Sequence, residues 1–148
     1  MKVRDTMTRA VRTVSPETSI REAARLMGEA DVGALPVASG DRLAGMVTDR
    51  DIAIRAVAIG KSAEVTVGEV MSHGVLYCHE DEDVLDVCSN MAELQVRRLP
   101  VVDVDKRLIG IVSLADLALA AAPFVTAEAL EGITRPGGAR TQSLLGAA

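Results

Sequence analysis

A shift of 64 residues lays this chain on itself. Val3 then meets Val67, Met7 meets Met71, Val11 meets Val75, Met27 meets Met91, Glu29 meets Glu93 and Val32 meets Val96. The run Leu35, Pro36, Val37 falls on Leu99, Pro100, Val101. One extra residue enters the second copy, after which residues 42–48 lie over 107–113 and Asp51, Ile52, Ala53 close on Asp116, Leu117, Ala118. An ordered series of this kind means one supersecondary unit built twice. The insertion falls between two predicted strands, where a turn tolerates it.

Each copy has the pattern of a β-α-β-β-α unit. A strand is predicted around residues 11–14, followed by a helix over 20–30 whose apolar Ile20, Ala23, Ala24 and Met27 recur at helical spacing. Ser19 and Glu22 have the spacing of a capping box; Asp83 and Asp86 stand at those places in the second copy, where Val84, Val87, Cys88 and Met91 repeat the stripe. Two short strands follow, 35–38 and 43–47, joined by Ser39, Gly40 and Asp41. Their partners are 99–102 and 108–112. The closing helices begin near Asp51 and Asp116 and are almost wholly apolar, through Ile59 and Ala122. A helix apolar all round must be covered on more than one side, between the copies or between two chains. Division by repeat gives residues 1–62 and 63–124. Residues 125–148 make a short helix (126–133) and a flexible tail, so a chain cut after residues 122–125 is expected to keep its fold.

Composition removes several functions. Almost half of the 148 residues are apolar, but Phe124 and Tyr77 are the only aromatic residues, so the stacking platforms of single-stranded nucleic acid binders are missing. The net charge is −5 with no basic run, which argues against nucleic-acid and anionic-membrane surfaces. The polar N-terminus lacks a secretory apolar region, and the longest apolar run falls far short of the ~20 residues that span a bilayer. Cytoplasmic residence is the expectation, with Cys78 and Cys88 as free thiols. His73 and His79 share one face of an extended segment and Cys78 takes the other, which predicts solvated strand-end histidines and no metal site.

At the end of the third strand, each copy carries glycine, two apolar residues, Ser or Thr, two variable residues and Asp. These are Gly45 to Asp51, with Thr48, Asp49 and Arg50 between, and Gly110 to Asp116, with Ser113, Leu114 and Ala115. A hydroxyl and a carboxylate at a helix start make an ordinary cap. They also suit a nucleoside phosphate, because free amides and a hydroxyl favour phosphate and a carboxylate accepts from a ribose diol. Both readings stand at this level. As caps, Asn would serve as well as Asp.

Residues 3–7, residues 33–37, the Gly45 to Asp51 motif and their second copies together resemble the CBS domain, named after cystathionine β-synthase. The resemblance covers residues 3 to about 122, and the arrangement is similar to stand-alone bacterial CBS-pair proteins. It implies an α/β (α+β) fold, a tandem pseudo-twofold pair of these repeats, with clefts that take AMP, ADP, ATP or a related adenosyl ligand. It also implies a homodimer formed through the helices. Carried over by motif, Asp51 and Asp116 would bind ribose, and Thr48 and Ser113 phosphate or ribose. Arg97 and Arg98, just before Leu99 and Pro100, would bind phosphate through forked donors. The first copy has Gly33 and Ala34 at those places, and the second has Leu114 and Ala115 in place of Asp49 and Arg50, so the two sites should differ. Arg50 reads equally as an exposed helix-start residue, and Arg97 and Arg98 as a solvated pair beside Glu93.

The leading function is a nucleotide sensor acting through its own dimer or a regulated partner protein. The alternative is a dimerisation scaffold with empty clefts. No nucleophile with a base and no paired carboxylates suggest an enzyme.

Overall fold

The computed structural model describes residues 1–74, 76–120 and 123–136. The chain forms two compact units. The first comprises Ala10–Leu76 with Asp105–Leu108; the second comprises Met1–Arg9, Tyr77–Val104 and the chain from Ile109 on. The segment that leads each repeat is therefore exchanged. Met1–Arg9 completes the second unit, and the residues that follow Gly60 complete the first. Sequence repeats and compact units are offset by one leader.

In the first unit, helix α1 (Ile20–Ala30) starts where the sequence places it, with the Ser19 hydroxyl accepting from the Glu22 amide at 3.1 Å. The Glu22 carboxylate does not return to the cap. It takes the Arg25 guanidinium, which holds its carboxyl below the usual range. Helix α1 ends at Asp31, left-handed at φ 53°, a conformation Asp tolerates better than most side chains. Strands β1 (Ala34–Ser39) and β2 (Arg42–Thr48) pair antiparallel across the predicted turn. The strand expected over 11–14 contracts to Val14, which bridges Val37 in parallel. Helix α2 (Asp49–Arg55) is shorter than its apolar sequence suggests, and a 3-10 turn (Val57–Ile59) follows. A one-turn helix, α3 (Val67–Val70), brings the leader in, and Ser72 bridges Met46. Val14, Ile20, Ala23, Met27, Leu35, Val37, Val47, Ala56, Val67, Val70 and Met71 fill the core.

The second unit repeats this plan. Strand β3 (Cys78–His79) runs parallel to β4 (Arg98–Val102), which neighbours β5 (Leu108–Ser113). Helix α4 (Val84–Leu94) is capped by Asp83, whose carboxyl is lowered chiefly by accepting from the Leu85 amide, and ends at left-handed Gln95 (φ 55°). Its leader makes a 3-10 turn (Val3–Asp5), and Thr8 bridges Ile111 as Ser72 bridges Met46. Helix α5 (Leu114–Ala120) closes the repeat.

The two motif glycines are explained by the exchanged leaders. A Cβ on Gly45 would lie 2.7 Å from the Ser72 carbonyl oxygen, and one on Gly110 would lie 2.8 Å from that of Thr8. Only a residue without a side chain lets the leader backbone approach so closely. Gly45→Ala and Gly110→Ala are each expected to lower stability by about 1–3 kcal/mol. Unfolding midpoints in urea that match the unsubstituted protein would show that the leaders are not held there.

One expectation is narrowed and one corrected. Of the closing segments the chain itself buries Ala56 and Leu117, but Ile54, Val57 and Ile59 are 44, 68 and 65 % exposed and Leu119 is 92 % exposed, which leaves cover by a second chain as the remaining alternative. The fold does not end near residue 122. Helix α6 (Pro123–Thr134) packs on α4 and α5, with Ala129 buried and a close crossing at Gly132, whose Cβ would stand 2.7 Å from that of Ala92. The Gln95 amide anchors its end, donating to the carbonyls of Gly132 (3.3 Å) and Arg135 (2.7 Å). Residues 121 and 122, the end of the predicted closing helix, and the tail from 137 lie outside the described residues.

Candidate functional site

The hydroxyl–carboxylate motif sits at equivalent strand–helix junctions in both units. In the first, Thr48 ends β2 in extended conformation and caps α2, its Oγ1 accepting from the Asp51 amide at 3.0 Å. Asp51 returns the bond, Oδ2 accepting from the Thr48 amide at 2.9 Å. In the second, the Ser113 amide donates to Asp116 Oδ2 at 2.8 Å and the Asp116 amide to Ser113 Oγ at 3.1 Å. Ser113 Oγ lies 2.8 Å from the same carboxylate oxygen. Both pairs are reciprocal capping boxes. The caps are Thr48 and Ser113; the aspartates stand three residues later.

This arrangement changes what the helix start can offer a ligand. The Asp49 amide is taken by the Gly33 carbonyl at 3.0 Å and that of Arg50 by Asp49 Oδ1 at 2.8 Å. With Asp51 bonded to Thr48, the first three amides of α2 are satisfied by the protein, so the expected outward-pointing amides are not available there. In the second unit the Leu114 amide goes to the Arg97 carbonyl at 2.8 Å, and no carboxylate stands at 114 to cap the next amide. An anion at these junctions would therefore be met by side chains. Among the described residues, Arg50, Arg97 and Arg98 make no ion pair; Arg50 and Arg97 are exposed and Arg98, opening β4, is half-buried. Asp51 is only 13 % exposed, and its Oδ1 lies 3.8 Å from Arg55 Nε.

Thr48, Asp49, Arg50 and Asp51 thus gather at one junction, and Ser113, Asp116 and the Arg97 backbone at the other. Three supporting residues were given no such role from sequence. Gly33 accepts the Asp49 amide, and its missing side chain leaves room for that carboxylate, which a Cβ would approach to 3.1 Å. Thr6 donates to the Asp116 carbonyl at 3.2 Å. Arg55 donates to the carbonyls of Val70 and Met71 while facing Asp51; its place four residues after Asp51 was the available signal.

Other chemistry is sparse. Cys78 and Cys88 are buried thiols; burial pushes Cys78 up to about 12 and raises Cys88 as well, and a thiol held protonated is a poor nucleophile. His79 stacks edge-on against Tyr77 and His73 is exposed. Among the described residues no group of three or more His, Cys, Asp or Glu side chains could hold a metal ion, and no helix is long and apolar enough to cross a membrane.

The CBS domain family profile matches residues 3–57 and again 67–122. The chain belongs to the CBS domain family. The CBS domain-containing protein YhcV of Bacillus subtilis is 48 % identical over 117 residues, which cover 79 % of this chain and 83 % of that protein. Among solved CBS structures, Hypoxic Response Protein I with two coordinated zinc ions is 38 % identical at a TM-score of 0.76, covering 82 % of this chain and all of that one. CBSX2 in complex with AMP is 32 % identical at 0.72, covering 83 and 97 %. The CBS domain pair of MJ0100, in complex with 5-methylthioadenosine and S-adenosyl-L-methionine, is 31 % identical at 0.72, covering 81 and 94 %. The duplication read from the shift of 64 residues, and the CBS fold that the motifs' resemblance implies, are thereby established.

Proposed function

We propose that this CBS pair is a non-enzymatic regulatory module that binds adenine nucleotides or related adenosyl ligands. The observation that carries the reading is the same partly buried hydroxyl–carboxylate pair at the strand–helix junction of both units. Asp51 and Asp116 each spend one oxygen on the capping box, leaving the other to accept from ribose hydroxyls. Arg50, Arg97 and Arg98 supply cationic forks for phosphate. CBS structures similar to this chain hold AMP, 5-methylthioadenosine and S-adenosylmethionine, which supports the ligand class.

The test is a thermal-shift and calorimetric titration with AMP, ATP, NAD and S-adenosylmethionine. At one hundred times its dissociation constant, a ligand that binds only the native state adds about 2.7 kcal/mol of stability. Stabilisation by at least one adenosyl ligand is expected. No shift with any of the four would favour the scaffold reading, which has an observation of its own: the capping boxes give Thr48, Asp51, Ser113 and Asp116 a structural role without a ligand.

The signal is proposed to pass through a homodimer or a regulated partner. Ile54, Val57 and Ile59 in one unit, and Leu119 and Phe124 in the other, leave large apolar side chains in water, more than scattered surface residues explain. Light scattering at micromolar protein should give twice the chain mass; a monomer with and without nucleotide would remove the dimer from this proposal.

A further inference from the structure

In the second unit, helix α6 packs over α4 and α5 and covers a face that the first unit leaves bare. Cys88 and Leu117 are fully buried on that side, whereas their counterparts Ala24 and Ile52 are exposed and half-buried. The occupant is poorly matched to its seat. The Thr126 hydroxyl oxygen is buried and finds no hydrogen-bond partner among the described residues, and a polar group left unpaired opposes the contact that buries it. Phe124 and Leu130 lie 71 and 47 % exposed, so the seat is made by small residues, Ala129 and Gly132. A cleft of about 590 Å³ remains between α4 and α6, lined by the carboxylates of Glu93, Glu128 and Glu131. The one guanidinium that lines it, that of Arg135, is held by Glu131 at 3.6 Å. Like charges gathered on two packed helices weaken their association.

We infer that α6 is a displaceable cap that competes with a second copy of the chain for the α4/α5 face. The helix pair beneath it repeats α1 and α2, with Met91 over Met27 and Leu117 over Ile52. Two faces made by one repeat suit the same partner, and the bare face is the one assigned above to a second copy. The identity of the competitor therefore rests on the dimer reading. While α6 is seated, only the first unit offers its helix pair, and self-association is limited to what that face supports. When α6 lifts, Cys88, Met91 and Leu117 enter water, and an apolar face of a second copy covers them again. The two competitors respond differently to concentration. Helix α6 is tied to its own unit, so its effective concentration is fixed, while that of a second copy rises with the amount of protein. The cap thus sets a concentration threshold for the second contact.

The test uses the full chain and two variants that move α6 in opposite directions. Gly132→Leu forces it off α4, where even a Cβ stands 2.7 Å from that of Ala92. Thr126→Val keeps the shape and removes the orphaned hydroxyl. Self-association is followed by sedimentation over a concentration series, and the lifting of α6 by alkylation of Cys88, with buried Cys78 as the internal reference. Thr126→Val should slow Cys88 roughly ten-fold and leave Cys78 unchanged, because it acts on a local opening. In dilute Gly132→Leu, Cys88 should react roughly ten-fold faster than in the parent, and slow again as protein concentration rises and a second copy covers it. Its dimer dissociation constant should fall roughly ten-fold, or its mass exceed the dimer. Cys88 freed in Gly132→Leu with unchanged or weaker association would overturn the proposal, since α6 would then cover nothing a second copy takes, or belong to the dimer contact itself. Failure of Thr126→Val to slow Cys88 relative to Cys78 would overturn it too, because α6 would then open only with the whole fold. A monomeric parent strikes the dimer reading; the cap stands if Gly132→Leu associates and falls if it does not.

Discussion

A chain ending at Ala122 is expected to melt roughly 5–15 °C below the full protein. Helix α6 covers the side of the second unit on which Cys88, Met91 and Leu117 are fully buried, and Ala129 packs into that face. Partial exposure of two or three such side chains costs about 2–5 kcal/mol, and each kcal/mol shifts the midpoint of a domain of this size by about 2–4 °C. Gly132→Leu separates packing from mere chain length. A branched side chain where even a Cβ meets Ala92 at 2.7 Å should force α6 off α4 and reproduce most of the loss. Gln95→Ala should give a smaller drop, since it removes the amide that holds the last carbonyls of α6. If the shortened chain and Gly132→Leu both melt with the parent, α6 does not belong to the cooperative unit.

The second large effect is on ligand affinity. In Asp51→Asn and Asp116→Asn the shape is kept and the charge that strengthens a bond to a ribose hydroxyl is lost. A hydrogen bond to a charged group is worth about 1.5–3 kcal/mol, so nucleotide affinity at the altered site should fall roughly ten- to a hundred-fold. The capping geometry refines the expectation for the ligand-free protein. Because the aspartates accept from the cap amide at a helix N-terminus, removing the charge should cost about 0.3–1 kcal/mol there, where equivalence of Asn and Asp as caps would predict none. The two variants should be unequal, since Arg50, Arg97 and Arg98 are not repeated between the copies. Calorimetric titration with apo melting curves alongside is the measurement. Undiminished affinity in both variants would leave the carboxylates with a capping role alone.

The sequence was most legible where it was periodic. Helix α1 begins at Ile20 and ends at Ala30 as its apolar spacing predicts, and each pair of central strands lies within a residue or two of its alternating run. It was least legible where two solutions share one pattern. The leaders around Val3 and Val67 are alike, and nothing in either says which unit it completes. Helix α6 was partly visible, but its buried contacts are made by Ala129 and Gly132, small residues that read as tail composition instead of an apolar face. At the site, spacing identified Thr48, Asp51, Ser113 and Asp116 as partners. It could not tell that the protein itself satisfies the first amides of α2, because that depends on Asp49 turning back and on the carbonyl of Gly33, just before β1, reaching the Asp49 amide.

The exchanged leaders also bear on how the protein is made. Thr8 bonds to Ile111 in both directions at 2.9 Å, so during synthesis the residues around Thr8 wait for partners about a hundred positions later. At 5–20 residues per second that is a delay of roughly 5–20 s, during which Val3 and Met7 have no core to enter. The unit of Ala10–Leu76, nearly contiguous in the chain, can assemble first while residues 1–9 wait for the second unit. A nascent chain halted before residue 111 is thus half-built, with Val3 and Met7 still exposed, and that stage is where a chaperone would find its substrate.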